Sequence, residues 1–331
     1  MRTAGSITQQ AVYLHAAAMF HIADFGFGLA VTQAGGSHAF LNGFTPSDFL
    51  QQVEQHQITH CVLVPSMIGA LLQQPGLDDR RLASVQSISY GAAPISLPIL
   101  RQVIARWPWI ALTQFYGLTE STGAVVTLSA RRHLEAQQRP ELLDFAGAAM
   151  PGHELRVVDV ATRQVLPHGV PGEIEVRGEG VMLGYWRDTA GTAASISADG
   201  WLRTGDVGMA SAEGLVKVQD RLKDMIISGG ENIYSVEVES VLLACPGVLG
   251  CAVIGLPDAA WGERVHAVVV LAQVPDEPEE FSRQLTAFCR ARLASFKAPR
   301  TYTLRTEALP LSGVGKVQKR VLVAQAMAQP G

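Results

Sequence analysis

Aromatic residues make up only 7% of this 331-residue sequence and charged residues 17%, and neither sign of charge prevails, with 26 Lys and Arg against 30 Asp and Glu. The absence of a basic stripe argues against a nucleic-acid partner, and the absence of an acidic block argues against a solvating tail. Cysteine is scarce as well: Cys61, Cys245, Cys251 and Cys289 include no C-x-x-C pair. This excludes a disulfide framework or zinc ribbon and suits reduced core residues in a cytoplasmic protein. No long apolar run survives uninterrupted, because the stretch after Arg2 is broken by His15, His21 and Asp24. It fits neither a signal peptide nor a membrane span. Internal repeats and low-complexity tracts are missing too. What remains, at 48% hydrophobic, is a globular chain able to build two cores, with a small molecule as its expected partner.

The apolar pattern alternates between two periods. Residues 45–57 begin Thr45-Pro46 and place Phe49, Leu50 and Val53 at helical spacing, which predicts a capped helix feeding the apolar strand 61–64. The pattern repeats as helix 66–73, strand 85–90, helix 96–107 and strand 110–115. Such alternation predicts a parallel sheet covered by helices. Each strand runs into a polar or Gly-containing turn, at Pro65-Ser66, at Gly91-Ala92-Ala93-Pro94 and at Tyr116-Gly117-Leu118-Thr119-Glu120. Parallel strands put those turns on one edge, where open α/β sheets bind their ligands. Between 147 and 218 short β-like runs separated by Pro-Gly turns predict a β subdomain. From 220 onward, strands near 225–228, 248–254 and 265–271 mix with helices near 235–244 and 279–293, a small α+β domain, with 274–280 as an exposed loop. The expected fold class is therefore α/β: residues 1–219 form the larger domain, a sheet to about 145 and then a β subdomain, and 220–331 form a separate small α+β domain. The resemblance given below implies that the first is part of a large domain and that the second is mobile.

Four stretches then stand in order: YGLTE at 116–120, DGWLRTGD at 199–206, DRLKDMIISGGENI at 220–233 and PLSGVGKVQKRVL at 310–322. GEGVMLGYW at 178–186 and SYGAAP at 89–94 accompany them. Together they resemble the acyl-adenylate-forming, AMP-binding superfamily, in particular its acyl-CoA synthetases. The resemblance implies an ATP-dependent ligase that activates a fatty or aromatic acid as acyl-adenylate and passes it to CoA. Loading of a carrier protein is the alternative within the same chemistry, and a non-catalytic binding protein of the same fold is the alternative outside it.

Joining a carboxylate to the α-phosphate of ATP brings two anions together, so the site needs a cation and a metal. The resemblance gives Lys316 the first role, on a movable loop flanked by Gly313 and Gly315. Thr119 is implied to touch phosphate oxygens and Glu120 to hold Mg²⁺, a hard cation that prefers oxygen. Asp206 is implied to accept the ribose hydroxyls and Arg221 to reach ribose and phosphate with its planar donor fork. Gly91, Ala92, Ala93, Pro94, Tyr116 and Gly117 would flank the adenine. Lys223 sits where relatives pivot the small domain, and the loop with Gly229, Gly230 and Glu231 would line the pantetheine path, with Trp261-Gly262 near the CoA nucleotide. His21 falls where amino-acid-activating relatives carry an Asp, which argues against an α-amino acid substrate, and its neighbours Phe20, Ile22, Phe25 and Phe27 suit an acyl or aryl chain.

Other readings fit less well. A P-loop at 313–316 lacks the first Gly and the final hydroxyl residue of that motif. A serine elbow at 35–39 would need a strand before it, where a helix is predicted. His56, His60 and Cys61 straddle a helix-to-strand junction with no evident fourth zinc ligand. The resemblance also leads one to expect, upstream of the segment resembling AVYLHAAAMFHIADFG, a Ser/Thr/Gly-rich phosphate-binding loop that this sequence does not contain. The corresponding expectations are negligible ligation by the 331 residues alone, and apolar surface covered by a missing segment or by self-association.

Overall fold

The computed structural model describes residues 7–312 and 317–328. The chain divides into two compact units: the first takes in the chain up to Thr204 together with Gly208–Val218, the second Gly205–Val207 and the chain from Gln219.

The first unit opens with β1 (Val12–His15), α1 (Ile22–Ala34), β2 (Ser37–Phe40), α2 (Pro46–His56), β3 (His60–Leu63), α3 (Pro65–Leu72), β4 (Ser87–Gly91), α4 (Leu97–Arg106) and β5 (Ala111–Leu118). These five strands are all parallel, in the order β2-β1-β3-β4-β5. The sequence writes this locally. Thr45 caps α2 by accepting from the Asp48 amide, Pro46 follows at the first helical position, and Phe49, Leu50 and Val53 are fully buried. Successive strand residues feed opposite faces. Leu14, Cys61 and Leu63 join the large core under α2, α3 and α4, while Tyr13 and Val62 join a second core with Phe27 and Val31 of α1. A sheet covered on both faces explains why its strands read as continuous apolar runs.

The chain continues through β6 (Gly123–Leu128), α5 (Ala130–Glu135), β7 (Gly147–Ala149), β8 (His153–Val158), β9 (Gly172–Gly178), α6 (Thr189–Ser195), β10 (Leu202–Ala210) and β11 (Leu215–Arg221). The β-rich stretch is joined to the parallel strands, since β7 pairs antiparallel with β6 on one side and with β11 on the other. The result is one 11-stranded sheet ending β7-β11-β10-β9-β8. Two local expectations change. Tyr116, Gly117 and Leu118 are the end of β5 rather than a turn, and β5 bulges against β6 between Tyr116 and Gly117. A Cβ at Gly117 would lie 1.9 Å from the Gly123 carbonyl oxygen, so the bulge admits only glycine.

The second unit holds β12 (Ile226–Ser228), β13 (Glu231–Ile233), α7 (Ser235–Leu243), β14 (Val248–Asp258), β15 (Gly262–Leu271), α8 (Pro278–Arg290), β16 (Thr301–Arg305) and α9 (Lys319–Ala328). The strand order is β13-β12-β15-β14, with β16 parallel to β15. α8 begins at Pro278, inside the stretch expected to be loop, because Pro at the first helical position starts a helix readily. Its core gathers Ile226, Ile233, Val238, Leu242, Val253, Val265 and Leu285. No helix among the described residues is long and apolar enough to cross a membrane.

Candidate nucleotide and acyl site

In the first unit the functional candidates gather on connections that leave the carboxyl ends of parallel strands. His21 lies between β1 and α1, Gly91 ends β4 with Ala92 to Pro94 between it and α4, and Thr119 and Glu120 come immediately after β5. The β4 and β5 ends approach closely: a Cβ on Gly91 would stand 2.2 Å from the Phe115 carbonyl oxygen. Ala92 takes a left-handed conformation with φ 64°, and Ala92, Ala93 and Pro94 are exposed. Held in a region that alanine rarely occupies, that backbone presents small side chains to solvent at the ligand edge.

After β5 the chain makes a single 3₁₀ turn, Thr119–Ser121, held from within. The Ser121 hydroxyl exchanges hydrogen bonds with the backbone of Leu118, both at 3.0 Å, and Thr122 closes the turn at φ 54°. Thr119 is exposed and Glu120 half-buried. The 178–186 loop straps this turn in place: the Thr122 hydroxyl donates to the Gly180 carbonyl at 2.7 Å and the Met182 amide to the Glu120 carbonyl at 2.8 Å. The Tyr185 hydroxyl donates to Glu120 Oε1 at 2.9 Å. Sequence reasoning passed over Tyr185, although the GYW stretch that contains it was noticed. Nothing in the spacing announces a contact across 65 residues.

Among the described residues no three His, Cys, Asp or Glu side chains are grouped to hold a metal by themselves. One partly accessible carboxylate nonetheless fits Mg²⁺, which keeps several waters and binds through one or two carboxylates plus substrate phosphates. Glu120 would be the protein ligand, with Tyr185 donating to its Oε1.

His21 stands at the N-cap of α1, its ring 5.1 Å from that of Phe20, and its Nε2 is shielded with no hydrogen-bond partner. Close by in the fold, Phe20, Phe25, Leu29 and Phe40 are exposed, and Phe20 is 80% accessible. Asp24, which breaks the apolar pattern of this stretch, is fully buried. It accepts from the Tyr13 hydroxyl at 2.8 Å and faces His15 Nδ1 at 2.5 Å. Burial and the neighbouring Asp24 push the Tyr13 phenol well above its ordinary pKa.

The second unit contains the other candidates. Asp206, in the middle of β10, is buried, and its Oδ1 lies 3.0 Å from Arg221 Nε at the end of β11. The Arg221 side chain is 44% accessible and that of Asp206 7%, so the pair is an inner carboxylate beside an outer arginine. The Leu222 amide donates to the Gly205 carbonyl at 2.8 Å, and Lys223 is exposed in the turn that follows. Gly229 and Gly230, at φ 62° and 84°, form the two-residue turn between β12 and β13, the left-handed pair that a tight hairpin requires. Trp261 packs against that turn: a Cβ on Gly229 would meet its ring at 2.7 Å, and the Gly229 amide donates to the Trp261 carbonyl at 2.8 Å. Arg300 covers the ring at 4.0 Å. The structure thus brings together Gly229, Gly230 and Trp261, and separately Asp206 and Arg221. Lys316 lies outside the described residues, as do Gly313 and Gly315.

A parallel sheet whose carboxyl-end connections carry small, hydroxyl and acidic residues, followed by a separate α+β unit, is an α/β architecture of the kind that binds nucleotides. The chain belongs to the AMP-binding enzyme family: residues 1–186 match the AMP-binding enzyme and 237–316 the AMP-binding enzyme C-terminal domain. It is 35% identical over 323 residues to 2-methylpropanoate–CoA ligase CCL4 of Humulus lupulus, covering 96% of this chain and 57% of that one. It is 38% identical over 307 residues to a feruloyl-CoA synthase of Amycolatopsis sp., covering 92% and 60%. The crystal structure of ATP-bound MatB from Rhodopseudomonas palustris superposes with a TM-score of 0.87 at 32% identity, over 99% of this chain and 62% of that one. The chain thus spans about 60% of the length of the relatives it matches.

Proposed function

We propose that this chain carries the adenylate-handling part of an AMP-forming carboxylic acid–thiol ligase, acting on a fatty or aromatic acid, ATP and CoA. The observation that carries the reading is the strapped Thr119–Glu120 turn at the ligand edge of the parallel sheet, within a chain of this family. In the first half-reaction a carboxylate oxygen attacks the α-phosphorus of ATP and pyrophosphate leaves. In the second, the thiol sulfur attacks the acyl carbonyl carbon, its proton passes to solvent, and AMP departs.

Each residue has a job that its type can do. Lys316 offsets the charge of the approaching carboxylate and α-phosphate, and Thr119 donates its hydroxyl to a phosphate oxygen. Mg²⁺, when bound at Glu120, supplies charge neutralisation on the phosphates. Asp206 accepts from the ribose hydroxyls, and Arg221 steadies ribose and phosphate from its outer position. Gly91 to Pro94 with Tyr116 and Gly117 flank the base. The small unit turns about Lys223, bringing first Lys316 and later the Gly229-Gly230-Glu231 turn with Trp261 into use. His21 and the exposed phenylalanines around it suit an uncharged acyl or aryl chain better than an α-ammonium group.

The test is pyrophosphate release by a version extended to the full length of its relatives, beside the purified 331-residue chain, with a panel of fatty and aromatic acids and with CoA or a pantetheinylated carrier protein as thiol. Alongside it, AMP binding is measured calorimetrically. In the extended version Lys316→Ala is expected to abolish acyl-adenylate formation while sparing thiol transfer from supplied acyl-adenylate, and Asp206→Ala to weaken AMP binding. Equal loss of both half-reactions in the Lys316 variant removes that residue from its role. Tight AMP binding with no turnover on any acid favours the non-catalytic reading.

A further inference from the structure

The described residues on either side of 313–316, the stretch that includes Lys316, are joined to one another. Leu311 and Val317 pair as an antiparallel bridge, the Gln318 amide donates to the Pro310 carbonyl at 2.8 Å, and the Gln318 side chain donates to the Leu311 carbonyl at 2.9 Å. The next residue, Lys319, does not point to solvent as a lysine near a chain end ordinarily would. Its side chain is 16% accessible, and its ammonium reaches Glu239 Oε1 at 2.7 Å and the Ser235 hydroxyl at 2.5 Å.

Both partners lead further into the unit. The fully buried Ser235 hydroxyl donates to Asp220 Oδ2 at 2.6 Å, and the Ser235 backbone amide, at the start of α7, donates to the same oxygen. Asp220 is itself buried, and its other oxygen accepts from the Arg221 amide at 2.8 Å. Glu239 Oε1 also accepts from the Val253 amide in β14 at 2.8 Å. One ammonium thus sits between two inward carboxylates, one reached directly and one through a hydroxyl. An unbroken hydrogen-bonded path runs from the base of the Lys316 segment to the residue before Arg221, three positions ahead of Lys223. Buried polar networks of this kind, fully satisfied, favour one arrangement over others.

We propose that Lys319 is a positioning residue: through Ser235, Asp220 and Glu239 it ties the base of the Lys316 segment to the strand-to-turn junction that holds Lys223, so that the two move as one piece. The inference rests on the ligase reading for what Lys316 and Lys223 do, but the tie itself is a property of the described residues. It also accounts for a lysine three positions after Lys316, where a surface residue would serve if the role were only solubility.

The experiment compares Lys319→Met, Lys319→Arg and Ser235→Ala with the parent chain in two readouts. The first, independent of turnover, is hydrogen–deuterium exchange of peptides covering 308–318 and 219–225. Lys319→Met is expected to speed exchange in both by about tenfold or more while peptides from β14 and β15 stay unchanged. Lys319→Arg is expected to restore protection, and Ser235→Ala, which spares the Glu239 contact, to give an intermediate change. The second readout, made in the version extended to the full length of its relatives, separates the half-reactions. Lys319→Met should lower acyl-adenylate formation at least tenfold, leave transfer from supplied acyl-adenylate within about twofold, and add nothing in a Lys316→Ala background. Unchanged exchange at 308–318 overturns the tie. Faster exchange with full adenylation, or a further loss on top of Lys316→Ala, overturns the positioning role. A parent that forms no acyl-adenylate, with exchange at 308–318 and 219–225 still raised by Lys319→Met, points instead to failure of the ligase reading and leaves the tie standing.

Discussion

Replacing Tyr185 by Phe removes the hydroxyl that bonds Glu120 at 2.9 Å and also meets the Ser195 side chain, and keeps the ring. Partial burial and the Glu120 carboxylate raise the phenol's pKa, so it stays a donor throughout the working range. A hydrogen bond to a charged acceptor is worth about 1.5–3 kcal/mol when well shielded. Tyr185 is 39% accessible, so solvent competes and roughly 0.5–1.4 kcal/mol is the realistic share. Contacts that orient a metal-holding carboxylate act on metal affinity first. The expected result is a half-saturating Mg²⁺ concentration raised about 2- to 10-fold, with the melting temperature nearly unchanged. Magnesium titrations of acid-dependent pyrophosphate exchange measure it, and Mn²⁺ binding followed by electron paramagnetic resonance measures it without turnover. An unaltered Mg²⁺ requirement would refute the idea that Tyr185 sets the orientation of Glu120.

Three other outcomes are expected. Gly91→Ala forces its new methyl against the Phe115 carbonyl at 2.2 Å and should cost about 1–3 kcal/mol in urea unfolding, with weaker AMP binding because β4 and β5 are pushed apart at the ligand edge. Trp201, 6% accessible, has the guanidinium groups of Arg156 and Arg177 over its ring at 4.1 Å and 4.6 Å, so Trp201→Leu should destabilise by about 2–3 kcal/mol while leaving AMP affinity of the folded fraction intact. Burial lowers the pKa of His133, bonded to the Tyr90 hydroxyl at 2.8 Å, to about 4. The unfolded chain takes up the proton near pH 6.5 and the folded chain only near 4, so this contribution is whole above 6.5 and is lost as pH falls through that window, by roughly 3 kcal/mol. His133→Gln should flatten the acid limb of a stability-versus-pH curve, and an unchanged limb would assign the acid sensitivity elsewhere.

Much of the architecture was legible because it is written locally. The Thr45-Pro46 cap, the apolar spacing of α2 and the run at 60–63 each carry their own signal, and the alternation of such elements leads to the parallel sheet. The four cysteines are free, with Cys61, Cys251 and Cys289 buried, as the scarcity of paired spacings implied. Long-range polar partners were not legible. Asp24 looks like a break in an apolar stretch, yet its polarity is met by Tyr13 and His15 from the neighbouring strand. The place where β5 stops was misjudged because Tyr116-Gly117-Leu118 has the composition of a turn, and the glycine serves a bulge instead. Lys319 was read only as part of a motif, since no spacing rule reveals a contact to Ser235 across 84 positions. Of the site itself, the sequence shows which residue types are present and the topology shows which edge they share, whereas the straps on Glu120 appear only once the chain is folded.

The residues with proposed chemistry and those that keep the chain folded are largely different sets. Thr119, Lys223, Arg221 and Ala92 to Pro94 stand on exposed turns or strand ends, where most substitutions change stability by less than about 0.5 kcal/mol. Gly91 and Gly117 belong to both sets: they are assigned to the base, and a side chain there would press on backbone oxygens that already occupy the space. Over many generations mutation would therefore strike the two sets unequally: positions without room would stay fixed while the accessible ones drifted. A descendant could forfeit every step of ligation and still fold, bind and persist, so a well-folded relative of this chain is no guarantee of a working one.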